Sequence, residues 1–259
     1  MRLEGKVALI SGAAMGVKGE LMGIGGATAW LFAREGAKLV LADINADKGE
    51  KTAAQLRESG ADAVFVPLDA TSEQDWVRAV DTAVSRFGKL NILVQCAGTT
   101  VPGGVEQTTV KMWNQMMDLH GKGMFLGTKH AIPAMRKAGG GSIVILSSTD
   151  GMIGGGFSAS YAAAKGANRL FARAAAIQYA KDNIRVNSLH PGEVDTPLAR
   201  SAIGEVMEQG GTDPRLDWIP MGRLATAGEV AHSILFLASD ESWYMTGAEL
   251  VIDGGITAR

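Results

Sequence analysis

The stretch from Ser11 to Ala29, SGAAMGVKGELMGIGGATA, follows the apolar run KVALIS at Lys6–Ser11, and the reading of that join decides the fold. A strand that runs into a glycine-rich turn and then a helix starting near Gly25 gathers backbone N–H groups and a helix N-terminus at one point, which suits a pyrophosphate. A glycine-rich turn alone is weak evidence. The next apolar run, KLVLAD, ends in Asp43, where a carboxylate can accept from both hydroxyls of an adenosine ribose and repels a 2′-phosphate. That favours NAD over NADP. The alternative is that Asp43 only caps a helix starting near Ala46. Asp69, after AVFVPL, is placed to accept from an adenine amino group, or to cap the helix after Ser72.

Further runs extend the pattern: DAVFVPLD, LNILVQCAG, GSIVILSS, NIRVNSLHPG and ELVIDGG join the first two as strand candidates. Between them lie helical periodicities at Thr28–Arg34, Lys48–Glu58, Gln74–Phe87 and Ala162–Lys181. Continuously apolar strands alternating with helices predict a doubly wound α/β fold whose parallel sheet is covered on both faces, with ligands beyond the strands' carboxyl ends. The 259 residues are read as one domain, 1–259, with a substrate lid at about 194–224, where helix formers mix with glycines and prolines. Thirty-four glycines imply many tight turns. A net charge of −2 and a pI near 6.1 supply no field for nucleic acid or anionic lipid. One cysteine excludes an intrachain disulfide, and no His/Cys grouping has zinc spacing, so no metal is expected. No run approaches the roughly 18 apolar residues of a membrane span, and the N-terminal apolar run is short for a secretory leader. A cytoplasmic, soluble protein is expected.

The motifs, taken together, resemble those of the classical short-chain dehydrogenase/reductase family along essentially the whole chain: Ser11-Gly12 with Gly23-Ile24-Gly25, Asp43, Asp69, CAG at 96–98, Ser148, YAAAK at 161–165, RVNSLHPGEVDTP at 185–197 and the ending YMTGAELVIDGG. The resemblance implies a three-layer, doubly wound Rossmann-type fold with a seven-stranded parallel sheet, and hydride transfer between a nicotinamide and a carbonyl or alcohol carbon. Tyr161 and Lys165, four apart, share a helix face. A nearby ammonium and an oxidised nicotinamide favour phenolate, making Tyr161 the general base for oxidation and acid for reduction. Ser148 matches the serine that hydrogen-bonds the reacting oxygen, with Ser147 as the competing choice. The resemblance assigns NAD binding to Ser11, Gly12, Gly23, Ile24, Gly25, Asp43, Ile44, Asp69, Ala70, Cys96, Ala97, Gly98, Tyr161, Lys165, Pro191, Gly192, Val194 and Thr196. Turn geometry alone also explains Gly98 and Gly192, and Asn187 is read as shaping its strand.

Three departures limit the carry-over. QCAG replaces the common NNAG. DLHGKG places His120 where the family commonly has an asparagine supporting a proton-relay water; His120 either takes over that relay, with its acceptor lost on protonation near the usual imidazole value, or only packs. Finally, Met15–Leu21 (MGVKGEL) reads as a near-duplicate of Met22–Thr28 (MGIGGAT). The expected pairing is Ser11-Gly12 with Gly23 and Gly25, while Met15–Leu21 bulges out as a mobile insertion. Lys18 either reaches a phosphate or is solvated. Met152, Ile153, Phe157, Leu198, Ile203, Met207, Trp218 and Met221 are pocket candidates, and no arginine stands beside Ser148 or Tyr161 to clamp an anion. The expected substrate is an uncharged hydrophobic secondary alcohol or its ketone, cyclic, terpenoid or steroid. The family implies a homotetramer. The rival function is a cofactor-binding regulatory or structural protein with impaired turnover.

Overall fold

The computed structural model describes residues 1–202 and 213–258. Within them the chain forms β1 (Val7–Ser11), β2 (Lys38–Asp43), β3 (Ala63–Pro67), β4 (Ile92–Gln95), β5 (Gly141–Leu146), β6 (Ile184–Pro191), β7 (Val194–Asp195), β8 (Ala225–Thr226) and β9 (Glu249–Ile252). Seven of these pair in parallel in the order β3-β2-β1-β4-β5-β6-β9, while β7 and β8 form a separate short pair at the two ends of the expected lid. The seven runs read from the sequence are the seven strands of the sheet. Ile203 and Met207 lie outside the described residues.

Strand alternation explains the continuous apolar runs. Val7 and Leu9 enter one core with Trp76, Ile132 and Ala175; Ala8 and Ile10 enter the other with Phe32, Leu56 and Ile234. The first core is closed by α3 (Glu73–Phe87), α5 (Gly123–Lys137) and α7 (Ala159–Tyr179). The second is closed by α1 (Ile24–Arg34), α2 (Ala46–Glu58) and a last helix, Ala227–Ala238. Each large apolar side chain so enclosed contributes roughly 2 kcal/mol before conformational entropy is charged against it.

The helices start where their caps say they should. Asn45 accepts from Lys48 N, Ser72 from Asp75 N and Ser158 from Tyr161 N, and Thr226 with Glu229 makes a reciprocal capping box. Chain order reverses across the sheet between β1 and β4, so the loops after those strands diverge and leave a crevice. A π-helical segment, Met117–Lys122, joins α4 (Val110–Met116) to α5 and carries His120 toward that crevice. Periodicity did not announce it.

Candidate functional site

One wall of the crevice is backbone. Gly12 follows β1 at φ +71°, and a Cβ there would lie 2.6 Å from Ala97 N, so the turns after β1 and β4 touch at this point. A Cβ on Gly25 would run into Gly12 O. Gly25 therefore lets α1 pack closely against that turn. Gly23 is the N-cap of α1, and neither a side chain nor a first-turn acid satisfies that helix start, in contrast with α2, α3 and α7. An uncapped N-terminus framed by glycine is what a pyrophosphate needs, and the residues here fit one.

Asp43 ends β2 with Oδ2 accepting from Ala14 N and Oδ1 from Asn45 N, both at 2.9 Å. Asn45, not Asp43, caps α2, which leaves Asp43 as a fixed carboxylate at the sheet edge with Ile44 exposed beside it. Asp69 Oδ1 accepts from Thr71 N and Thr71 Oγ1, both at 2.8 Å; Ser72 is the cap of α3. Ala70 is buried and its carbonyl receives the Trp76 indole N–H. Ser11 holds the β4 turn, its O accepting from Cys96 N and its Oγ from Ala97 N. The Cys96 thiol is pushed up to about 12 by burial. Beyond β6, Pro191 O accepts from Thr149 N and Gly192 N donates to Ile252 O. Val194 is buried, and Thr196 Oγ1 accepts from Ala199 N.

The inserted heptad does not bulge free, contrary to expectation. Val17 is buried, Gly16 O accepts from the Trp30 indole at 2.6 Å, Lys18 N donates to Gln55 Oε1 and Glu20 pairs with Lys48 at 2.8 Å. The Lys18 ammonium sits 4.2 Å from the centre of the Trp30 ring. Val17 supplies the anchor that a count of glycines overlooks. This segment, α1 and the last helix frame a cleft of about 750 Å³, which none of the catalytic candidates lines.

The other wall is side chains. Ser148 acts on the Tyr161 phenol, opposing the rise that burial imposes on it, and its Oγ accepts from Asp150 N at 3.1 Å, while Ser147 Oγ is turned away and donates to Lys165 O at 2.9 Å; the two serines thus face different partners. Lys165 Nζ lies 5.4 Å from the Tyr161 ring centre and donates to Leu146 O at 2.8 Å. His120 stands edge-on to Tyr161, ring centres 5.3 Å apart and planes at 88°, and its Nε2–H donates to Thr99 O at 2.8 Å. With the Asn168 amide oriented to satisfy both its ends, its nitrogen donates to His120 O at 2.9 Å.

Burial governs the electrostatics here. It holds the Tyr161 phenol far above the usual tyrosine range, helped by the Asp150 and Glu193 carboxylates and opposed by Ser148. It pushes Lys165 down to about 8, against Cys96 and Asp150. Burial is the largest of these influences on Tyr161, and it favours the protonated phenol. Burial, then Lys165, hold His120 down at about 3, against the Thr99 hydrogen bond. The expected loss of its acceptor near the usual imidazole value does not occur.

Several contributors went unread in the sequence. His190 Nδ1–H donates to Ser148 O at 3.2 Å and its Nε2 meets Ser188 Oγ at 2.8 Å, which fixes the backbone under Ser148; it sits one residue before the Pro191-Gly192 pair that was noticed. Asp150 and Glu193, both partly buried and both held above the carboxylate range by desolvation, make the surroundings of Tyr161 acidic. Arg215 is buried, but Asp213 at 2.7 Å and Glu193 at 3.4 Å occupy its guanidinium.

A family model described as enoyl-(acyl carrier protein) reductase matches residues 19–257. The chain is 41% identical to the 2,5-dichloro-2,5-cyclohexadiene-1,4-diol dehydrogenase LinX of Sphingobium indicum, over 98% of this chain and 97% of that protein. It is 40% identical to the cyclopentanol dehydrogenase of Comamonas testosteroni, over 100% and 99%. A solved short-chain dehydrogenase/reductase from Burkholderia xenovorans superposes with a TM-score of 0.90 at 36% identity, covering 100% of this chain and 98% of that one. Sheet order, the crevice between β1 and β4 and full-length similarity agree that this chain belongs to the short-chain dehydrogenase/reductase family.

Proposed function

We propose that the protein interconverts an uncharged, hydrophobic secondary alcohol, cyclic in the first instance, and its ketone with NAD. The observation that carries this reading is the placement of Ser148 and Lys165 about Tyr161, next to the carboxyl end of β5. Bound NAD would supply the hydride acceptor for alcohol oxidation, and its reduced form the donor for ketone reduction. Tyr161 moves the hydroxyl proton: its protonated phenol is suited to donate to the nascent alkoxide during reduction. Ser148 hydrogen-bonds the same oxygen and steadies the charge that develops there. The Lys165 ammonium lies 5.4 Å from the centre of the phenol ring, and a cation there favours the phenolate needed for oxidation. His120 is assigned to the same face as a neutral group.

Gly12, Gly23 and the start of α1 would hold the pyrophosphate, and Asp43 the adenosine ribose, where a 2′-phosphate would meet a carboxylate. Asp69, Ala97, Gly98, Pro191, Gly192, Val194 and Thr196 would line the remainder of the cofactor path. The acidic surroundings of Tyr161 and the occupied Arg215 disfavour an anionic substrate, while Ile153, Phe157, Leu198, Trp218 and Met221 expose apolar surface. The relatives named for cyclic alcohols point the same way. Exposed Phe125, Leu170 and Ile177 on α5 and α7, with Trp243 and Tyr244 before β9, support a homotetramer, which light scattering tests. No described helix is long and apolar enough to cross a membrane, and the cytoplasm is the compartment proposed.

The test is a panel of cyclic secondary alcohols with NAD or NADP, read by nicotinamide absorbance, with Tyr161→Phe as control. Turnover with NAD is expected, and a kcat about 1,000-fold lower in the variant at unchanged thermal stability. Retained activity in Tyr161→Phe would sink the mechanism.

A further inference from the structure

Gln95 and His120 are two of the places where this chain departs from its family's usual residues, and the fold puts both on one cavity. Gln95 closes β4 and is 7% exposed. Its Nε2 donates to Met124 O at 3.0 Å, and its Oε1 has no partner among the described residues. His120 is 2% exposed. Because its Nε2–H is committed to the Thr99 carbonyl, which can only accept, Nδ1 is a bare acceptor, and it too has no partner among the described residues. Both residues line a cavity of about 10 Å³, together with Ser11, Ala97, Leu146 and Asn168; that is close to the room one water centre requires. Thr128 Oγ1, a third buried polar atom without a partner, does not line it.

A buried acceptor that lacks a donor is costly, and native interiors rarely leave two side by side. Neither Gln95 Oε1 nor His120 Nδ1 can donate to the other. A water carries two protons, and two acceptors need them. We propose that one buried water donates to both Gln95 Oε1 and His120 Nδ1, so that Gln95 acts as a positioning residue for His120. The bridge fixes the imidazole as its Nε2–H tautomer, holds the ring edge against Tyr161, and keeps the π-helical turn where His120 O meets Asn168. Two departures from the family pattern become one compensated unit. Burial and the Lys165 ammonium, the influences that keep His120 neutral, act in the same sense.

The water itself is independent of the reaction proposed above; only its kinetic consequence rests on that reading. The full-length protein is labelled with ¹⁵N-histidine, and long-range proton–nitrogen correlation resolves its four histidines, His120 being assigned through His120→Asn. The expected result is an Nε2–H tautomer whose Nδ1 resonates as a hydrogen-bonded acceptor. In Gln95→Met that Nδ1 moves to the free-acceptor position while His130, His190 and His232 stay put. The same variant lowers kcat about fivefold at unchanged KM, less than loss of a direct acid–base group would. An Nδ1 that does not move overturns the bridge; one that moves with kcat unchanged overturns the positioning role. If Gln95→Met does not fold, the wild type decides, since a free-acceptor Nδ1 or an Nδ1–H tautomer overturns the proposal and a cross-peak from His120 Hε1 to water supports it. Should no alcohol be turned over, the resonance readout stands unaffected.

Discussion

At the β1–α1 end of the crevice the chain offers backbone; at the β5–α7 end it offers side chains. The first wall is defined by what is missing, the Cβ atoms of Gly12 and Gly25 and the side-chain cap of α1. The second is defined by Ser148, Lys165 and His120 gathered around Tyr161. The walls tolerate change differently. Seven added residues leave the backbone wall intact because convergent N–H groups demand only that the turn close, and the addition finds its own support in Trp30, Gln55 and Lys48. On the side-chain wall, replacing one asparagine by His120 leaves an acceptor that needs a donor, so change there is coupled.

The largest effect that tests this contrast is on the side-chain wall. Lys165→Met is expected to lower kcat by at least about 100-fold, and it also changes the pH dependence of stability. Lys165 is held at about 8 in the folded protein, below its ordinary 10.5. Below about 8 it is charged in both states and the cost of burying the ammonium is fully present. Between 8 and 10.5 the unfolded chain binds a proton that the folded protein has released, so stability rises with pH across that window. Lys165→Met removes this rise, and its advantage over wild type in unfolding free energy should shrink by about 3 kcal/mol from pH 8 to 10.5. Urea denaturation at a series of pH values measures it; parallel curves would mean that Lys165 is solvated.

The backbone wall should answer to a single methyl. Gly12→Ala places a Cβ 2.6 Å from Ala97 N at φ +71°, and backbone atoms on both sides cannot give way as a side-chain end can. A loss of about 2–3 kcal/mol in stability is expected, with NAD binding weakened in parallel. Equal stability and affinity would show that the turns after β1 and β4 have slack. Asp43→Ser removes the side chain to which the proposed preference for NAD is assigned. About tenfold weaker NAD binding is expected, with the preference against NADP reduced, as read by cofactor titration. An unchanged preference would move selectivity elsewhere.

Much of this was legible because strands buried on both faces read as unbroken apolar runs, and because Asp43, Tyr161 and Lys165 sit at spacings that survive any detail of packing. The choice between Ser148 and Ser147 needed the structure, since both lie just past the end of β5 and only the fold commits Ser147 Oγ to Lys165 O. What stayed illegible depends on burial. The neutrality of the His120 imidazole and the raised Tyr161 phenol both follow from desolvation by residues distant in sequence, and the π turn that carries His120 has no periodic signature. The behaviour of Met15–Leu21 was misread for a related reason: glycines at 16 and 19 suggested mobility, but Val17 between them is buried and sets the outcome.

The smallest effect is the sharpest test of the backbone wall. Lys18 is the inserted cation best placed by sequence to reach a phosphate, yet its ammonium lies over Trp30, on an exposed stretch where a cation–π contact contributes about 0.5–1 kcal/mol. Lys18→Ala should therefore cost no more than that in stability and leave the NAD dissociation constant within about twofold, as calorimetric titration would show. Val17→Ala is its counterpart, because truncating a buried valine should cost about 1–2 kcal/mol while also sparing the cofactor. If Lys18→Ala instead weakened NAD tenfold with stability intact, the insertion would be a side-chain contributor to the cofactor site. The β1–α1 end would then be built like the β5–α7 end, and the tolerance of its turn for seven extra residues would reflect a gained contact rather than a requirement met by backbone alone.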